Sequence, residues 1–241
     1  MIAAQLPWPK VKQLAAQGAV ALLPIGSTEA HGPHLPLSVD VVIAEEVCRR
    51  VAARLAAKGK TTVTFPAVAY TLTDFAASFS GTVSLTAHTA RALMRGVMEG
   101  IVAAGFAKVL VCNHHLEPAH FKLVHEAAAQ AGPKVVVADH RRKPHGPRLG
   151  DEFMHGGSHA GGYETSLMMA AAPQLVDEAA RRALPALEVD LVARIKAGAK
   201  DFLQAGGPDA YFGAPAAATA EEGNRLFEIL AEVSVAALGE G

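Results

Sequence analysis

The chain has 241 residues, 51% of them hydrophobic, which is enough apolar material for a full core; by length alone it makes one large domain or two small ones. Its 22 basic and 23 acidic residues leave a formal net charge of −1 with the signs interspersed, which argues against nucleic acid or a membrane surface as a partner. There is no long uninterrupted apolar segment, and the opening MIAAQLPWPKVKQL lacks a signal peptide's charged region, apolar core and cleavage site, so a soluble, cytoplasmic protein is expected.

In chain order, residues 8–17 read as a short amphipathic helix closed by Gly18, and 19–25 (AVALLPI) as a strand buried on both faces. Residues 38–58 repeat apolar side chains at helical spacing, with Ser38 as N-cap and Gly59 as terminator. A second strand is expected over 61–69, then a long loop over 70–81, a length usually reserved for function. A helix over 85–104, a third strand over 108–112, a helix over 118–130 with Pro118 in its first turn, and a fourth strand over 134–139 follow. Residues 140–158, rich in Gly, Pro, His and charge, read as an irregular segment folding over a site, after which Ser158 caps a buried helix opening with HAGGYETS. Stretches 174–182 and 189–204 look like helix or turn, and 219–238 is an amphipathic helix capped by Thr219 with Glu222 three on. Apolar strands alternating with helices, with no repeat or linker, imply one α/β domain: a mostly parallel sheet with helices on both faces. In such sheets ligands bind beyond the strands' carboxyl ends.

Those ends carry the chemistry. After the first strand, PIGSTEAHGPHLPLSVD places Glu29, His31, His34 and Asp40 among glycines and prolines, and the two-residue spacing of Glu29 and His31 sends both side chains to one side of an extended chain. After the third strand, His115 and Glu117 repeat that spacing in reverse order. Five oxygen or nitrogen donors, Glu29, His31, Asp40, His115 and Glu117, exceed what one tetrahedral ion needs, so two divalent ions are expected, with Asp40 as the bridge. The plainer alternatives are a polar loop with an N-cap aspartate and, at His115, a helix-capping histidine. Glu164 reads as a further ligand or a hydrogen-bond partner of one, and His159 as a proton shuttle; the alternative is a capping histidine and a solvated glutamate. His34 and His114 fit supporting positions around ligands, whereas His120 and His125 read as ordinary helix residues. Ser78 and Ser80 read as plain loop polarity. Cys48 and Cys112 each lie in an apolar run and read as core residues. Neither a GxGxxG nor a P-loop nor a GxSxG is present.

The segments GSTEAHGPHLPLSVD (26–40), SGTVSL (80–85), NHHLE (113–117), HAGGYETS (159–166) and ATAEEG (218–223) together resemble the creatininase (creatinine amidohydrolase) family. The resemblance implies a single α/β domain, a binuclear centre of zinc, manganese or iron, hydrolysis of a small or cyclic C–N amide, and a homo-oligomer, hexameric in creatininase. Carried over motif by motif, it implies Glu29, His31, Asp40, His115 and Glu117 as metal ligands, with His159 and Glu164 as the catalytic pair. The tryptophans that enclose creatinine have no counterparts here: Leu116 stands between the ligand pair, and Trp8, the sole tryptophan, is far from every motif. Ser80 and His114 also depart from the family's usual proline and glycine. A small-molecule amide other than creatinine is therefore expected, with a formamide, a peptide, a keto-sugar ring, or a non-catalytic metal-stapled binding role as alternatives.

Overall fold

In the computed structural model, which describes residues 1–141, 143–156 and 158–239, four strands pair in parallel. They are β1 (Val20–Ile25), β2 (Thr62–Thr64), β3 (Val109–Asn113) and β4 (Val135–Val137), in the spatial order β2-β1-β3-β4. All six residues of β1, VALLPI, are buried, as a central strand covered on both faces requires. Its alternate residues serve opposite layers. Ala21, Leu23 and Ile25 pack under α1 (Trp8–Ala16), α3 (Ala87–Ala103) and α4 (Pro118–Ala131). Val20 and Leu22 pack under α2 (Val39–Ala57), α6 (Gly162–Ala171) and α10 (Ala220–Ala237). Cys48 and Cys112 are free thiols buried in this second layer. Among the described residues no helix is long and apolar enough to cross a membrane.

The strand order places the site. From β1 the chain moves outward to β2, then returns to β3 on the other side and continues to β4. The connections leaving β1 and β3 therefore diverge, and a crevice opens where Ile25 pairs with Asn113.

Several boundaries differ from the sequence expectation. The second strand is three residues long rather than running over 61–69, because Pro66 cannot donate to the ladder; pairing resumes only as a bridge between Ile25 and Val68. The segment over 140–158 is not wholly irregular: it holds a tight turn at Gly146–Leu149 and a short helix, α5 (Asp151–His155), while its Arg142 and Gly157 lie outside the described residues. Helix α6 starts at Gly162, and its N-terminus is satisfied not by Ser158 but by Glu152 of α5, whose carboxylate accepts the Tyr163 amide at 3.0 Å. Ser38 occupies the N-cap position of α2 without a side-chain cap, whereas the Thr219 hydroxyl caps α10 as expected. After α7 (Glu178–Ala183), the stretch 189–204 divides into α8 (Leu191–Lys196) and α9 (Phe202–Ala205). These short helices share a small separate core, Ala76, Leu191, Phe202, Ala205 and Phe212, beneath the 70–81 loop.

Helices α6 and α10 meet at Gly223, where an added Cβ would fall 1.9 Å from the Ser166 carbonyl oxygen. No rotamer change relieves a clash with backbone, so the helices would have to separate. Gly223→Ala should therefore destabilise the protein by about 2–3 kcal/mol in urea denaturation. Gly96→Ala, in the interior of α3 with no atom within 4 Å of the new methyl, should instead add about 0.5–1 kcal/mol.

Candidate metal centre

The end of β1 presses directly on the first turn of α2. A Cβ at Gly26 would lie 2.6 Å from the Val41 nitrogen and 2.8 Å from the Asp40 Cβ, so only glycine permits the approach that delivers Asp40 to the crevice. The chain after Gly26 runs extended through Glu29 and His31. The His31 Nδ1–H donates to the Glu29 carbonyl at 3.1 Å, which leaves Nε2 facing inward. From β3, His115 donates its Nε2–H to the Leu72 carbonyl at 3.0 Å and presents Nδ1 to the same space. The first turn of α6 brings Glu164, one of whose oxygens accepts the Ala160 amide at 2.7 Å.

These side chains converge. His31 Nε2 lies 3.4 Å from Asp40 Oδ1, 3.4 Å from Glu164 Oε2 and 3.7 Å from Glu29 Oε1. His115 Nδ1 lies 3.1 Å from Asp40 Oδ2 and 3.4 Å from Glu29 Oε1. The two oxygens of Asp40 thus face two different imidazoles. Every member is buried, none more than 4% exposed. Yet His31 Nε2 and Asp40 Oδ2, although within ion-pairing distance of opposite charge, make no hydrogen bond. Buried polar atoms left in that state are costly. Three sets of donor atoms lie within 4.8 Å of one another: Glu29, Asp40 and His115; His31, Asp40 and Glu164; and Glu29, His31 and His159.

The electrostatics follow from three carboxylates buried together. Burial alone would push His31 down, but Asp40, Glu164 and Glu29 outweigh it and raise the imidazole to about 10. His115 is likewise raised, burial being overcome by Glu29 and Asp40. Asp40 is held well below the carboxylate range because His31 and His115 overcome its own burial. Glu164 goes the other way, to about 8, since burial, Asp40 and Glu29 outweigh the help it receives from His31.

Glu117, expected among the ligands, is in none of the three sets. It sits at the N-cap position of α4, and its Oε2 accepts the Phe75 amide at 3.2 Å, turned into the cavity rather than toward Asp40. Burial raises it to about 7. His159 donates its Nε2–H to the Ala30 carbonyl at 3.0 Å, which leaves Nδ1 free of a proton and 3.7 Å from Glu29 Oε1. Burial, then the charge on His31, lower it well below the usual histidine range. Glu164, expected as a further ligand or a hydrogen-bond partner of one and as a catalytic residue by resemblance, stands inside a donor set.

Supporting residues divide between those legible in the sequence and those that are not. His34 meets the Thr165 hydroxyl at 2.9 Å, a supporting position as expected. His120, read as an ordinary helix residue, is fully buried, and its Nε2 meets Asn113 Oδ1 at 2.8 Å, while the Asn113 amide donates to the His115 carbonyl at 2.7 Å. Thr73 donates to Glu29 Oε2 and gave no signal of its own beyond lying in the long loop. Ser78 and Ser80 are exposed and do not line the cavity. That cavity, of about 330 Å³, opens directly over Glu29, Asp40, His115 and Glu164.

The fold and site together define a class: parallel-sheet α/β proteins with a buried carboxylate and imidazole cluster at the switch point of the sheet. A family model described as creatininase, creatinine amidohydrolase, matches residues 4–238. The chain belongs to the creatininase family. The mycofactocin precursor peptide peptidase of Mycobacterium ulcerans (strain Agy99) is 34% identical over 235 residues, covering 92% of this chain and 82% of that one. The creatinine amidohydrolase of Pseudomonas putida is 30% identical over 193 residues, 72% of each chain. A solved creatinine amidohydrolase (creatininase) superposes with a TM-score of 0.77 at 25% identity, over 99% of this chain and 96% of that one.

Behind the cluster, His140 is buried against His114, ring centroids 5.8 Å apart, and burial lowers it from 6.5 to about 4. A histidine buried neutral binds its proton more weakly folded than unfolded. Below pH 6.5 the unfolded chain takes up protons the native state does not, so stability falls with pH and the loss is complete below about pH 4. His140→Gln should flatten the stability curve across that window, removing on the order of 3 kcal/mol of its total change, measured by urea denaturation at half-unit pH steps.

Proposed function

We propose that the chain is a hydrolase of a small amide C–N bond that works with two divalent ions sharing Asp40. The observation that carries this is the placement of Asp40, one oxygen toward His31 and Glu164, the other toward His115 and Glu29. The donors fit the group: imidazole nitrogen and carboxylate oxygen in a buried set with unpartnered atoms suit zinc or manganese. Glu29 and His115 would hold one ion, His31 and Glu164 the other. When bound, such ions polarise a carbonyl and acidify water near neutral pH.

The remaining work belongs to the chain. Glu117 faces the cavity outside the donor sets, placed to take the proton of the attacking water. His159, its Nε2–H tied to the Ala30 carbonyl, presents Nδ1 for a proton and is placed to pass it to the leaving nitrogen. Water adds at the carbonyl carbon, the C–N bond breaks, and the amine departs with that proton. Relatives named as a creatinine amidohydrolase and as a peptide peptidase support a C–N bond of amide type. A metal that only staples the fold is disfavoured by the cavity that opens onto the cluster.

Metal analysis of protein purified without chelator should find two equivalents, and Asp40→Ala should lose them. Retention of two ions by that variant would overturn the bridge. Glu117→Gln should keep both ions while amine release from a panel of cyclic amides, formamides and short peptides falls by about 100-fold or more. Loss of metal in Glu117→Gln would instead return Glu117 to the ligand set.

A further inference from the structure

The cavity over the cluster has a polar floor and apolar walls, and apart from Leu116, next to His115, the walls come from segments that contribute no donor. Phe202 of α9 packs tilted against His159, ring centroids 4.1 Å apart, and against Phe75 at 5.9 Å, so an aromatic surface begins at the floor itself. Leu116 and Phe153 extend the wall, and Val192 and Ile195 of α8 add to it, both half-buried, Ile195 in the same small core as Phe202. Two charged side chains also line it. Glu117 lies beside the floor, and Arg141 already pairs with Asp139 at 3.3 Å and lies over the Phe121 ring, its guanidinium carbon 3.0 Å from the centroid.

A substrate group entering this space gives up its water. For a charged or strongly polar group the apolar walls offer no partner besides Arg141, whose guanidinium is already engaged with Asp139 and the Phe121 ring, whereas an aliphatic or aromatic group gains from burial and from ring contact. The volume, about 330 Å³, lies at the small end of ligand sites and accommodates one large side chain beside the scissile amide. Resting on the reading of the site as a metal-dependent amide hydrolase, we propose that its substrate carries an uncharged aliphatic or aromatic side chain next to the scissile bond. That group is seated against the apolar wall that the Phe75 and Phe202 rings form with the Val192 and Ile195 side chains. The substrate class is thus a hydrophobic acyl-amine or peptide end rather than a small polar ring.

Hydroxamic acids, which chelate a bound divalent ion through one fixed head, test this without turnover. Metal-loaded protein should bind 3-phenylpropanohydroxamic acid about ten-fold or more tighter than acetohydroxamic acid by calorimetry, and succinic monohydroxamic acid, with a carboxylate tail, no tighter than the acetyl compound. Val192→Asp and Ile195→Asp should each reduce that ten-fold preference several-fold with metal content unchanged. Equal binding of the three compounds to metal-loaded wild-type protein overturns this proposal and leaves the proposed function standing, as does a phenyl preference that survives both substitutions. Protein that retains no metal and binds none of them overturns the proposed function and this proposal together.

Discussion

The structure turns on one arrangement: the carboxylate of Asp40, in the first turn of α2, wedged between His31 and His115 with its two oxygens divided between them. The helix N-terminus favours a negative charge at that position, and the two imidazoles supply the opposite charge that burial otherwise makes unaffordable. A close approach of strand and helix makes this possible. It is achieved by leaving out a side chain at Gly26, so that the end of β1 and the start of α2 touch. A second omission, at Gly223, lets α10 press on α6, the helix that carries Glu164. Two close contacts between elements thus fix two of the three carboxylates relative to the sheet.

The same logic explains how the histidines are aimed. Each ring has one nitrogen occupied by a backbone carbonyl: Glu29 for His31, Leu72 for His115, Ala30 for His159. The nitrogen left over is therefore determined before any ligand arrives, which is how carbonyl partners orient metal-binding and proton-carrying imidazoles in general. Thr73 does the equivalent for Glu29, and Asn113 with His120 for the turn that carries His115. These contacts rely on rigid elements, the ends of β1 and β3, on one side, and on the long loop over 70–81 on the other. The loop's length is thus used to carry a second layer of contacts around the cluster.

Much of this was legible in the sequence. Apolar runs such as AVALLPI and KVLVC define the buried strands, and the rule that ligands bind beyond strand ends brings Glu29, His31, Asp40 and His115 to one rim without further information. What was not legible depends on direction rather than position. Glu117 shares with Glu29 the two-residue spacing from a histidine, but spacing in an extended chain holds only while the chain stays extended. The turn into α4 at Pro118 ends that, and the side chain leaves toward Phe75. Glu164 was legible as a ligand or a ligand's hydrogen-bond partner, but which of the two depends on how α10 fixes its helix against α2. The segment over 140–158 was unreadable for a similar reason: its short helix is held by Glu152 bonding to α6 and to the Ala214 amide, partners remote in sequence.

The division between floor and walls has a physical origin. The floor must hold several charges in fixed relation within a few ångströms, and only elements anchored in the main core do that with sufficient precision. The walls need only be apolar and of suitable shape, a demand met by α8, α9 and the 70–81 loop, which pack largely on a small core around Phe202 and Phe212, and by α5, whose Phe153 packs on the main core. That core meets the layer of α2, α6 and α10 at Leu187, which packs against both, while Ile195 packs on the small core alone. His159 is where the two regions meet: its ring lies 4.4 Å from that of His31 on one side and 4.1 Å from that of Phe202 on the other. Floor and wall therefore touch through that one ring, whose Nδ1 lies 3.7 Å from Glu29 Oε1.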